Sequence, residues 1–89
     1  MKSGFPVPRH LSWCTKLIEP IESDIARLSV NRDSGVIILL LRDERQIDLI
    51  PTKGGKTLVV AQWTGNARKI LREDLEINDA NGLKRVLDV

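Results

Sequence analysis

The sequence predicts an α+β domain: a small antiparallel meander of three to four strands, with one helix from the C-terminal half packed on one face. Three observations predict it. Residues 36–41, Val-Ile-Ile-Leu-Leu-Leu, form an unbroken apolar run of strand length with no polar position. Polar segments rich in Gly, Pro, Asn and Asp interrupt the chain on both sides of that run, as hairpin loops do. After Thr64 the apolar spacing changes from two to three and four, the period of a helix.

Residues 1–12 read as an irregular arm, because Pro6 and Pro8 oppose helix and hold Val7 extended; residues 13–89 make a single domain. Residues 13–24 fit two patterns. Leu17, Ile18, Ile21, Ile25 and Leu28 fall on one helical face, and Pro20 suits a helical first turn with Glu22 and Asp24 beside it. Residues 15–18 also suit an edge strand ended by Pro20. The alternation of Ala26, Leu28 and Val30 favours a strand over residues 25–30. It leads into a five-residue loop in which Gly35 supplies a positive φ.

Residues 36–41 then read as the central strand, covered on both faces, because no position in the run is polar. Residues 42–45 are a polar turn. In residues 46–50, Ile47 and Leu49 oppose Gln46 and Asp48, the pattern of a strand with one wet face. Pro-Thr-Lys-Gly-Gly at 51–55 is the clearest turn in the chain. A strand over 56–63 puts Thr57, Val59, Ala61 and Trp63 on one face and Lys56, Leu58, Val60 and Gln62 on the other. Ala67, Ile70, Leu71 and Leu75 then form a helical stripe over residues 65–76, with Thr64 as N-cap. Residues 78–82 are a turn, and Leu83, Val86 and Leu87 line a short last helix or belong to an extended tail.

Aromatic residues make up only 3% of the chain, so its core must close by tight aliphatic packing or by burial against a partner. The single cysteine, Cys14, allows no internal disulfide. With no signal-peptide pattern and no window of 18 apolar residues, the expected setting is cytoplasmic, without a membrane span.

The catalytic inventory is nearly empty. His10 is the one histidine and stands beside Arg9, where nothing supplies the positioned partner a general base needs. Cys14 reads as a small buried hydrophobe. One His and one Cys do not make a zinc site. Asp43 and Glu44 sit in a turn, and Glu73, Asp74 and Glu76 sit on an outer surface, away from any apolar pocket. Gly54-Gly55-Lys56-Thr57 resembles the end of a phosphate loop. But Ile50 stands where that loop needs a glycine, and a strand follows where it needs a helix, so a hairpin turn is the better reading. The expectation is a protein with no enzymatic activity, no cofactor, no metal and no small-molecule substrate.

Charge is the one uneven property. Lys53, Lys56, Arg68, Lys69 and Arg72 fall within residues 51–72, which hold no acid; Glu73, Asp74, Glu76 and Asp79 follow, with no base among them. On a helix over 65–76 this puts bases first and acids last, the reverse of what the macrodipole favours. Cations beside outward-pointing amides would seat an anion, either a phosphate backbone or an acidic protein patch. The plainer alternative is a solvated face relieved by Lys69–Glu73 and Arg72–Glu76 pairs. Scarce aromatics oppose base stacking.

The function expected is that of a small regulatory or adaptor protein acting by protein–protein binding. Self-association as a homodimer is the first case, because one helix leaves one face of the sheet bare. The alternative is a nucleic-acid-binding module that holds phosphates with the same five basic residues.

Overall fold

Five segments form the strands β1 (Ile25–Val30), β2 (Ile37–Leu41), β3 (Gln46–Pro51), β4 (Thr57–Thr64) and β5 (Ala67–Glu76). They run as an antiparallel meander in the order β1-β2-β3-β4-β5. Helix α1 (Trp13–Ile18), continued by a 3-10 turn over Glu19–Asp24, precedes the sheet, and helix α2 (Ala80–Leu87) follows it. The structure, a computed structural model, describes residues 11–89. The arm expected over residues 1–12 therefore lies almost wholly outside the described residues, and Leu11 is already part of the core.

The helical pattern prevails in residues 13–24, and the edge strand considered for 15–18 is not formed. Cys14, Leu17, Ile18 and Ile21 must all reach one sheet face, and all four are buried. Spacings of three and four achieve that on a helix, whereas a strand would send Leu17 and Ile18 to opposite sides. Pro20 sits at the start of the 3-10 turn, where its missing N–H costs nothing.

β1 spans the residues the alternation predicts, and Gly35 takes its positive φ of 75° in the loop that follows. β2 corrects an expectation. It is not the central strand, which is β3, and it is covered on one face only. Ile37, Leu39 and Leu41 are buried, but Leu40 is 39% exposed. The physical reason is that the described helices all lie on the same side of the sheet, so a run apolar at every position has shelter for alternate residues alone.

The segment 65–76 is the largest correction. It is not a helix but the edge strand β5, paired antiparallel with β4. Gly65 and Asn66 make a two-residue hairpin turn between the paired Thr64 and Ala67, and Gly65 has the positive φ, 63°, that a primed turn needs at its first centre. Leu71 and Leu75, four apart, satisfy helix and strand alternation equally, and both turn to the core. Two bulges in β5, opposite Leu58–Ala61, shift the register. Thr64 ends β4 rather than capping a helix.

Among the described residues the sheet thus has five strands rather than three or four, and there are two α-helices rather than one. α2 is the short last helix foreseen from Leu83, Val86 and Leu87, begun three residues earlier. Asp79 caps it by accepting a hydrogen bond from the Gly82 amide at 2.9 Å. Leu83 and Leu87 bury against α1, the 3-10 turn and β5. From the sheet, Ile25, Ile37, Leu39, Leu41, Ile47, Leu49, Leu58, Val60 and Leu75 close the other half of this core. Each large aliphatic buried there contributes about 1.5–3 kcal/mol.

Candidate protein-binding face

The meander's second face is built by the same alternation. In β3, Ile47 and Leu49 point to the core, so Gln46, Asp48 and Ile50 point away from it. Register then extends rows across the strands. Arg27, Leu40, Gln46, Trp63 and Arg68 form one row, and Ser29, Ile38, Asp48, Ala61 and Ile70 form the next. Ile50 and Val59 form a third, shorter row. Ala61 is fully buried yet stands outside the core cluster, because its larger neighbours on this second face cover it.

Among the described residues no helix or loop packs on this face. It is apolar nonetheless: Ile38, Leu40, Ile50, Val59, Trp63 and Ile70 are aliphatic or aromatic, and Leu40 and Ile70 are the two large hydrophobic residues most open to solvent among the described residues, at 39% and 40%. Its polar groups are tied together at the centre. The Trp63 indole Nε1–H donates to Asp48 Oδ2 at 2.9 Å, and Gln46 Nε2 donates to Asp48 Oδ1 at 3.2 Å. The central carboxylate is thereby occupied, and Arg27 and Arg68, which form no ion pair among the described residues, stand at the two ends of one row. The tie also orients the Trp63 ring across the sheet.

The five basic residues singled out in the sequence do not come together, as the length of a strand over residues 56–63 predicts. Lys53 and Lys56 are exposed in the β3–β4 turn, where Gly55 (φ 69°) donates its amide to the Thr52 carbonyl at 2.9 Å, so the Gly-Gly-Lys-Thr stretch is a hairpin turn running into β4. Arg68 and Lys69 lie at the far end of β5, about 20 Å away along the strand, and alternation sends them to opposite faces. The anion seat expected at a helix N-terminus does not exist, because residues 65–76 form no helix. The pairs Lys69–Glu73 and Arg72–Glu76 are absent too. Arg72 Nε instead contacts Asp74 Oδ1 at 2.9 Å, an i, i+2 pair that strand alternation brings to one side and a helix would hold apart. That hydrogen bond and the guanidinium charge hold the Asp74 carboxyl below the usual carboxylate range.

Of the other candidate groups, Cys14 is fully buried, and desolvation pushes its thiol up to about 12, so it is an inert core residue. The Asp43 carboxyl is lowered chiefly by the hydrogen bond from the Arg45 backbone amide and then by the Arg45 side chain, which ties the β2–β3 turn. His10 lies outside the described residues. Among those residues no cluster of three His, Cys, Asp or Glu side chains could hold a metal ion, and no helix is long and apolar enough to cross a membrane.

The residues missed in the sequence are Arg27, Leu40 and Ile70 as members of one surface. Gly65-Asn66 was the available signal: a hairpin dipeptide directly after a strand makes residues 67–76 a strand and places Arg68 and Ile70 beside Trp63. Comparison with known proteins found no matching family, no similar characterised chain and no similar solved structure.

Proposed function

We propose that this chain is a small non-enzymatic regulatory or adaptor protein that acts by binding protein through the bare face of its sheet. One observation carries the reading. A five-stranded sheet has its described helices on one side and an aliphatic stripe, Ile38, Leu40, Ile50, Val59 and Ile70 with Trp63, on the other. Apolar side chains left on a sheet face that no described helix covers mark an interaction site in soluble proteins. Aliphatic side chains suit a protein surface better than a nucleic acid, whose bases stack on aromatic rings, and among the described residues Trp63 is the one ring on this face.

The test uses the full chain and its Leu40→Glu variant as parallel baits in lysate of the source cells, at low and high salt, with and without nuclease. A protein recovered by the parent, retained at high salt and after nuclease, and lost with Leu40→Glu is the expected result. Recovery that ignores Leu40 counts against the face. Recovery that disappears with nuclease or salt transfers the reading to phosphate binding by Lys53, Lys56, Arg68, Lys69 and Arg72.

A further inference from the structure

The charge order along β5 has a use on this face. Arg68 pairs with Trp63 and shares its face. Glu76 pairs with Thr57, next to the fully buried pair Leu58 and Leu75, so Glu76 projects on the side opposite the core. One edge of the bare face therefore carries Arg68 at one end and the acids Asp74 and Glu76 toward the other, with the exposed Ile70 and the Arg72–Asp74 pair between the ends. Arg68 and Glu76 are separated by the length of β4 from Trp63 to Thr57, about 20 Å. A strand with this polarity is complementary to its own copy laid antiparallel.

We propose that the bare face is occupied by a second copy of this chain. The two sheets stack face to face about a two-fold axis running across the strands, with Arg68 of each copy over Glu76 of the other. This rests on the protein-binding reading above and names the partner. Under that operation the Trp63 row lies over the Thr57 end of the other copy, Ala61 lies over Val59, Ile38 over Val36, Asp48 over Ile50, and Ile70 over the stretch Glu73–Asp74. Apolar side chains thus meet on the inner strands at Ile38 over Val36 and Ala61 over Val59, the Asp48 carboxylate is held by Trp63 and Gln46 of its own chain, and Arg68 and Glu76 lie at the rim, as in aligned packing of two sheets about 10 Å apart. Arg27 comes over the other copy's β1–β2 loop, which carries both Arg32 and Asp33 and so neither favours nor opposes the pairing. Area is sufficient. Five strands at ~4.8 Å spacing and about six residues of length at ~3.3 Å present roughly 480 Å² in projection. Doubling that for two copies, and allowing for side-chain relief, reaches the ~1,000 Å² a specific interface requires.

The experiment is a charge swap followed by sedimentation equilibrium on the full chain, with circular dichroism to verify folding. The parent is expected to be a dimer. Arg68→Glu and Glu76→Arg are each expected to weaken self-association by ~10–100-fold, because each places like charges together at two sites. Mixing the two variants restores both opposite-charge pairs, so a one-to-one heterodimer close to the parent in affinity is expected. A dimer indifferent to both reversals but broken by Leu40→Glu overturns the two-fold arrangement and leaves the protein-binding face standing. A dimer indifferent to Leu40→Glu as well overturns both readings. A parent that stays monomeric up to about 1 mM overturns self-pairing. Hydroxyl-radical labelling of that monomer then separates two cases: protected Leu40 and Ile70 assign the face to residues 1–10 of the same chain, and strong labelling leaves it free for a different protein.

Discussion

The two faces of this sheet are made from the same strands and nearly the same side chains, yet they have opposite fates. β2 shows both within five residues: Ile37, Leu39 and Leu41 are buried, while Ile38 is half-buried and Leu40 is 39% exposed. Nothing in the side chains separates Leu39 from Leu40. What separates them is the position of α1, the 3-10 turn and α2, which deliver Cys14, Leu17, Ile18, Ile21, Leu83 and Leu87 to one side only. The contrast teaches that an apolar residue reports a capacity to be buried, and the neighbouring elements decide whether the capacity is used.

The largest expected effect comes from truncating each side of that contrast. Leu39→Ala should cost about 2–5 kcal/mol in urea unfolding, the range for a large aliphatic lost from a closed core. Leu40→Ala should stay within about 0.5 kcal/mol when measured on dissociated chain, since exposed positions tolerate truncation. Equal losses at the two positions would show that the second face is covered within one chain.

Gly65→Ala comes next. A Cβ there meets no other atom, but the φ of 63° is unfavourable for alanine, so a loss of about 1–2 kcal/mol is expected from the same unfolding measurement. This sharpens the comparison because the turn sets the register that sorts Arg68 and Ile70 from Leu71.

Cys14 probes the closed side through pH. The folded protein holds the thiol neutral, with its pKa raised from 9.0 to about 12. Its contribution is complete below pH 9 and is lost as pH rises toward 12, because only the unfolded chain releases the proton easily. The expected difference is about 1 kcal/mol between pH 8 and pH 10, absent in Cys14→Ala. Native Cys14 should also resist alkylation at pH 8 until denaturant is added.

The smallest effect belongs to the bare face. Trp63→Phe removes the indole donor from Asp48 but leaves Gln46 bonded to it, so a loss of about 0.5–1.5 kcal/mol is expected in thermal or urea unfolding. No loss at all would mean that the Trp63–Asp48 hydrogen bond adds nothing to the stability of the fold.

Most of the sheet was legible in the sequence because its strands are short, alternate cleanly and end at strong turns. β1, β3 and β4 fall where alternation and the loops at 31–35, 42–45 and 51–55 place them. β5 was not legible by period alone. Ala67, Ile70, Leu71 and Leu75 satisfy a helical stripe, and the two bulges blur the strand's alternation. Its charge order was the better guide: bases followed by acids oppose a helix dipole, and in a strand that conflict does not arise. The same misreading hid the site. As a helix, residues 65–76 gather their bases; as a strand, they divide Arg68 from Lys69 and add Ile70 to an apolar face.

The sequence by itself determined where the chain turns, which residues are able to bury, and that charge is segregated within residues 51–79, because these follow from local sterics and composition. Only the tertiary structure decided that both helices pack on one side, that residues 67–76 pair with β4, and that half of the aliphatic run at 36–41 remains outside the core. Those outcomes depend on long-range hydrogen bonding and packing, for which a segment's own period allows more than one solution.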